Sequence, residues 1–342
     1  MIVCALGLVA SACALSGSGR AQGGTADANS STAHNQEQES TRTVRVWRPS
    51  PGLRQIPIWP NDAPDMEGVS KLPENVLVAV TPNAISRRTS EAVFDVSTPT
   101  MTLYPPRGRN TGAAIIVFPG GGFRALAITS SGTEICEWII SRGITCIVSK
   151  YRVPGSNHYW DLECRCHITP DVPRALQDAQ RTIRLVRARA NEFNIRPDRI
   201  GVIGFSAGGY LVAQTSNLVE TAYTPIDEVD NVSSRPDFAV AVYPGHLCRP
   251  GGTLDPSIEV TRRTPPTFLL HAWDDPVDDV CNSLLYARAL NQAGVPAEVH
   301  LFAKGGHAFG RRRTGHPVDV WPSLVENWLR GLGILPSAPK LE

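Results

Sequence analysis

Six short apolar runs recur after residue 112: AAIIVF (113–118), ITCIVSK (144–150), RIGVIGF (199–205), FAVAVYP (238–244), TFLLHAW (267–273) and AEVHLF (297–302). Runs of this length, apolar on both sides of the pleat, suit parallel strands covered by helices on each face. The segments between them repeat apolar residues at helical spacing: GTEICEWIISRG, PRALQDAQRTIRLVRARANEF, NSLLYARALNQAG and WPSLVENWLRGL. In the longest, Leu176, Ile183, Val186 and Phe193 share one side, and Asp171 with Pro173 supplies an N-terminal signal. Strands alternating with helices imply right-handed crossovers and an α/β fold, a mostly parallel doubly wound sheet flanked by helices. Its ligand site belongs at the carboxyl ends of the strands.

The chain ahead of these runs reads differently. TVRVW from Thr43 is strand-like, and in EAVFDVSTPTMTLYPP the alternation of Ala92, Phe94 and Val96, then Met101 and Leu103, predicts an N-terminal antiparallel hairpin. Residues 1–21 hold an apolar run from Ile2 to about Leu15 and a small-residue break after Ala21, the pattern of a signal peptide; it is too short to span a membrane. A lipid anchor at Cys13 and a disordered extension are the alternatives. Residues 22–43 are polar, without period, and cannot bury enough surface to offset ordering, so a disordered tether is expected there. A single α/β domain is expected over 44–335, followed by a tail, 336–342, in a secreted or periplasmic protein. A formal net charge of +1 offers no electrostatic case for nucleic acid or for an anionic membrane surface. The eight cysteines form no pair of CxxC motifs and no CxxC with a spaced histidine pair, which argues against zinc.

Gly204-Phe205-Ser206-Ala207-Gly208 follows an apolar strand and precedes an Ala/Leu/Val helix, the setting of a nucleophile elbow. Small residues two before and two after the serine make room for the tight turn. A serine hydroxyl needs a base, and the base needs an acid to hold its tautomer. His307, in the loop AKGGHAFG after the last strand, is the expected base; His271 and His300 lie inside strands, and His246 and His316 are loop residues without further support. The acid is expected after TFLLHAW, where Asp274, Asp275, Asp278 and Asp279 crowd together; spacing favours Asp275 over Asp274 and Asp278. Ala207, with Gly121 and Gly122 of FPGGGF, is expected to supply the backbone donors of an oxyanion hole. Phe123, Phe205 and Trp273 are candidates for lining an acyl or alcohol pocket, with Tyr159 and Trp160 as flat faces for a sugar ring. A base of this kind titrates near the ordinary histidine range, about 6 to 7. The chemistry needs no cofactor and no metal.

VFPGGGFRALAITSSGTEICEWIISRGITCIVSKYRVP, ALQDAQRTIRLVRARANEFNIRPDRIGVIGFSAGG, SRPDFAVAVYP, PPTFLLHAWDDPV and AKGGHAFG resemble, in this order, secreted bacterial α/β-hydrolases of the acetyl xylan esterase type, relatives of the hormone-sensitive-lipase-like esterases. The likeness runs from about Ile58 to Leu335. It implies the α/β-hydrolase fold and a serine carboxylesterase acting on small esters or on acetylated oligo- or polysaccharide. Pro119 stands where the lipase-like relatives carry a histidine, as is usual in the xylan-type branch. The passage around Cys164 and Cys166 departs from the family's pattern at the pocket wall. A prolyl-oligopeptidase-like peptidase shares the triad order, but too little chain precedes the glycine loop to build a propeller gate. A binding protein on a hydrolase scaffold would lack a triad member. Cys248 and Cys281 lie just past strand ends in adjacent crossovers, where a parallel topology can bring them together as a disulfide; two free buried thiols are the alternative.

Overall fold

The computed structural model describes residues 40–66, 72–80, 89–154, 160–161, 166–167, 174–218 and 220–337. The expected signal peptide, Tyr159, and the helix-start residues Asp171 and Pro173 lie outside them, as does all of the expected tether before Ser40. For Trp160 the backbone alone is described.

Among the described residues, eight strands make the central sheet: β1 (Gln55–Pro57), β2 (Thr100–Tyr104), β3 (Ala114–Phe118), β4 (Thr145–Lys150), β5 (Ile200–Phe205), β6 (Phe238–Val242), β7 (Thr267–Ala272) and β8 (Ala297–Phe302). Their spatial order is β1-β2-β4-β3-β5-β6-β7-β8. From β4 to β8 every pairing is parallel, while β1 and β2 add antiparallel at one edge. The apolar runs are thus the strands expected of them. Every residue of β3 to β7 is buried, whereas β8 is only partly covered because it is the other edge. The helices α1 (Glu134–Ser141), α2 (Arg174–Ala188), α3 (Ala207–Asn217), α4 (Cys281–Gln292) and α5 (Trp321–Gly331) follow the predicted periodic segments.

The N-terminal hairpin needs correction in its partners. Thr89–Phe94 pairs antiparallel with Asn75–Val80 in a separate four-stranded sheet that also takes Ser40–Val44 and Ala125–Leu126. The second run, β2, joins the central sheet beside β4 instead. Alternation specifies which face of a strand is buried, and that requirement is met equally by any antiparallel neighbour. The first strand of the small sheet begins at Ser40, so the stretch read as a tether up to residue 43 ends in ordered pairing.

Cys248 and Cys281 are bridged, with Cα atoms 5.7 Å apart, and Cys136 of α1 is bridged to Cys146 of β4 at 5.3 Å. The first joins the chain after β6 to the start of α4. Nothing in the sequence spacing points to the second. Such bonds persist in oxidising compartments.

Helix α2 is buried almost all round although it carries charge, because its polar side chains find partners inside. Asp178, wholly buried, accepts from Arg152 Nε (2.9 Å), the Arg152 amide (2.8 Å) and Trp59 Nε1 (2.8 Å). Arg181 donates to Asp227 (2.7 Å) and Asp230 (2.9 Å). Removing one member of a buried pair strands the other charge, which costs about 3–5 kcal/mol. Asp178→Ala is therefore expected to lose about that much stability in urea unfolding. A loss below about 1 kcal/mol would mean that Arg152 finds new partners and that the network is dispensable.

Candidate active site

The carboxyl ends of β3, β5, β6, β7 and β8 converge on Ser206. Strand β5 runs into Ser206 at φ 54° and ψ −120°, a conformation an L-residue seldom adopts, and α3 starts at the next residue. The flanking glycines are there for space. A Cβ on Gly204 would lie 2.0 Å from the Gly208 carbonyl oxygen, and one on Gly208 would lie 2.0 Å from that of Phe118. The turn holds the Ser206 hydroxyl against the loops that follow β7 and β8.

His307 Nε2 lies 3.1 Å from Ser206 Oγ, and His307 Nδ1 lies 2.7 Å from Asp275 Oδ2. Asp275 Oδ1 accepts from the amides of Val277 (2.9 Å) and Asp278 (3.0 Å), which orients the carboxylate. His271, buried in β7, lies 3.4 Å from Asp275 Oδ2 and bonds Ser283 Oγ and the Asp278 carbonyl through its two nitrogens. Burial alone would raise the Asp275 pKa, but hydrogen bonds from His271 and His307, with the His307 charge, hold it well below the usual carboxylate range. For His307, burial pulls the pKa down; the hydrogen bond to Asp275 and the charges of Asp278 and Asp275 outweigh this and leave it raised above the ordinary histidine value.

The other aspartates of the cluster divide the remaining tasks. Asp274 Oδ1 accepts from the Gly305 and Gly306 amides at 2.9 and 2.8 Å and so anchors the loop that carries His307. Asp279 Oδ1 accepts from the Cys281 amide at the start of α4 (2.7 Å). Asp278 is buried with Oδ2 3.2 Å from Ser206 Oγ. Sequence spacing ranked it behind Asp275 as the acid. Its signal was the Asp-Pro-Val-Asp turn, which folds the fourth residue back over the first.

Gly121 (φ 138°) and Gly122 (φ 60°) use backbone conformations that favour glycine, and a Cβ on Gly121 would lie 2.1 Å from the Ala125 carbonyl oxygen. The loop is held by Tyr151, whose buried hydroxyl donates to the Pro119 carbonyl (2.5 Å), and by the Gly120 amide, which donates to Ser131 Oγ (3.1 Å). Among the described residues, no hydrogen bond engages the amides of Gly121, Gly122 or Ala207. A chain of serine, imidazole and carboxylate beside unengaged backbone donors can generate an alkoxide nucleophile and hold the anion of a tetrahedral adduct.

The pocket candidates fall in different places. Phe123 is buried beside the glycine loop, its ring centroid 5.5 Å from His246, 6.2 Å from Tyr151 and 6.3 Å from Tyr210. Trp273 is 57% exposed, next to Asp274. Phe205 is a correction: as the last residue of β5 its ring points into the core against Tyr243 and Trp321, with none of it accessible, so it cannot meet substrate. His246, without support in the sequence, is buried at φ 63° between Phe123 and Tyr210, directly after the β6 turn. Arg312, in the basic run after His307, is committed to Glu134 at 2.8 Å. Among the described residues, no three His, Cys, Asp or Glu side chains are grouped as metal ligands.

Three comparisons bear on this arrangement. The BD-FAE family model matches residues 101–242. An acetylxylan esterase of Xylanibacter ruminicola is 27% identical over 246 residues, 65% of this chain and 46% of its own length. The chain spans less than half the length of the curated relatives it matches. Of solved structures, an acetyl ester-xyloside bifunctional hydrolase from Caldicellulosiruptor lactoaceticus is 32% identical with a TM-score of 0.62, over 82% of this chain and 97% of that one. An alpha/beta hydrolase enzyme from a Medee basin deep-sea metagenome library is 25% identical with a TM-score of 0.54, over 68% and 92%.

Proposed function

Since the chain belongs to the α/β-hydrolases, among the acetyl xylan esterase-like proteins, we propose that it is a serine carboxylesterase that removes short acyl groups, acetyl above all, from carbohydrate such as xylan. The observation that carries this reading is the hydrogen-bonded chain Ser206–His307–Asp275, at 3.1 and 2.7 Å, beside the glycine loop. His307 takes the Ser206 proton as Oγ attacks the ester carbonyl, and the oxyanion turns to the amides of Gly121, Gly122 and Ala207. Collapse passes the proton from Nε2 to the departing sugar oxygen and leaves an acyl-enzyme, which water then opens by the same steps in reverse roles.

A short acyl group is supported by the aromatic cluster of Phe123, Tyr151, Tyr210 and His246, which closes in beside the glycine loop. On the alcohol side, the exposed indole of Trp273 can lie flat against a sugar ring. Across p-nitrophenyl esters, kcat/KM is expected to fall from acetyl to butyryl, and by at least about tenfold more at octanoyl, about 1.4 kcal/mol in the transition state. The same enzyme should release acetate from acetylated xylan and leave a Gly-Pro arylamide intact. A preference for octanoyl with no acetate released would replace the carbohydrate reading with a lipase-like one.

A further inference from the structure

Ser206 Oγ has two acceptors, His307 Nε2 at 3.1 Å and Asp278 Oδ2 at 3.2 Å, and these two lie 3.9 Å from each other. One hydroxyl hydrogen cannot serve both fully. The carboxylate is also seated deliberately. Its amide donates to Asp275 Oδ1, its carbonyl accepts from His271 Nε2, and it lies where a side chain at residue 245 would be: a Cβ on Gly245 would come within 2.6 Å of Asp278 Oδ1. Gly245 in turn donates to the Ser206 carbonyl at 3.2 Å. Glycine at 245 therefore makes room for a carboxylate at the nucleophile.

We propose that Asp278 is a second catalytic carboxylate, which takes the Ser206 hydrogen bond at rest and acts as a counterion to the His307 imidazolium during ester hydrolysis. This rests on the reading of Ser206, His307 and Asp275 as the hydrolytic triad. In the attack step the Ser206 O–H bond breaks, its proton passes to Nε2, and the Oγ–C bond forms as the carbonyl electron pair moves to oxygen. On collapse the proton goes from Nε2 to the leaving oxygen as the C–O bond breaks. Asp278 exchanges no proton in either step and contributes charge alone. Among the described residues, the groups facing the imidazole are Asp275 from the loop after β7, with His271 behind it, Asp278 from the same loop, Ser206 from the elbow, and Tyr243 from the end of β6, whose ring is 4.8 Å away. Asp275 and Asp278 are the two anions in this set, and both favour the imidazolium, in keeping with the raised pKa of His307.

The test is an NMR titration of the His307 ring in substrate-free enzyme, paired with the pH profile of kcat/KM for p-nitrophenyl acetate. Asp278→Asn keeps the shape and removes the charge, so the His307 midpoint and the acid limb should both fall by about one pH unit, and plateau kcat/KM by about tenfold or more. Gly245→Ala, which pushes the carboxylate off Ser206, should reproduce the loss of rate, while Asp279→Asn at the α4 start should leave the midpoint where it was. A midpoint in Asp278→Asn within about 0.2 unit of the parent, or one that moves with no loss of rate, overturns the proposal. Because the titration needs no substrate, a parent enzyme inactive on every ester would count against the esterase reading without touching the measured charge effect.

Discussion

Ser206→Ala is expected to lower kcat for p-nitrophenyl acetate by at least about ten-thousandfold, because on the proposed mechanism Ser206 supplies the oxygen that forms the acyl-enzyme. The residual rate would come from the glycine-loop amides and from substrate positioning. Stability should hardly change. Alanine suffers the same positive φ as serine at the elbow, and the hydroxyl contributes only a hydrogen bond at an edge of the core. The loss of one such bond, of order 1 kcal/mol, moves the thermal transition of a chain this size by a few degrees at most. Retention of more than about a tenth of kcat in a folded variant would sink the assignment of Ser206.

The second large effect is expected at Asp275. Asp275→Asn keeps the volume and presents a neutral amide to His307 Nδ1, so the ring loses both the acceptor that fixes its tautomer and the charge that stabilises its cation. A fall in kcat of roughly ten-thousandfold is the magnitude seen when a triad acid is neutralised. Asp274→Asn should cost far less, since its bonds to the Gly305 and Gly306 amides orient the loop and an amide oxygen can still accept them. Equal losses in the two variants would mean that spacing and geometry had singled out the wrong carboxylate.

The same pair sets the pH behaviour. On the proposed mechanism activity needs neutral His307, so kcat/KM should rise with pH through a midpoint above the ordinary histidine value, which the free-enzyme profile reads directly. Folding stability moves the other way. A raised His307 pKa contributes stability that is complete below the unfolded value and disappears as pH rises through the folded one. For Asp275, held low, the contribution is present above the unfolded carboxylate pKa and is lost as pH falls towards the folded value. In Asp275→Asn the acid limb, where measurable, should shift down, because the main support for the imidazolium is gone.

Residues 199–217 show what local sequence can carry. An apolar run, two small residues around a serine and an Ala/Leu/Val stretch specify strand, tight turn and helix, because each requirement concerns neighbours a few positions apart. The same holds for β3 to β7 and their helices. Pairing and convergence are different. β2 found its partner in β4 and not in Thr89–Phe94, since alternation names a face and not a neighbour. Phe205 turned inward because β5 is covered on both sides, so its aromatic ring belongs to the core whatever chemistry lies one residue on. The four aspartates after β7 are chemically alike in the sequence. Only the loop carrying His307, arriving from β8, decides that Asp275 meets the imidazole and Asp274 the loop amides, while the turn through Pro276 and Val277 brings Asp278 back to the serine. These contacts join residues that are 31 to 101 positions apart, at separations set within tenths of an ångström by the packing of the sheet beneath them, and no local pattern encodes such a distance.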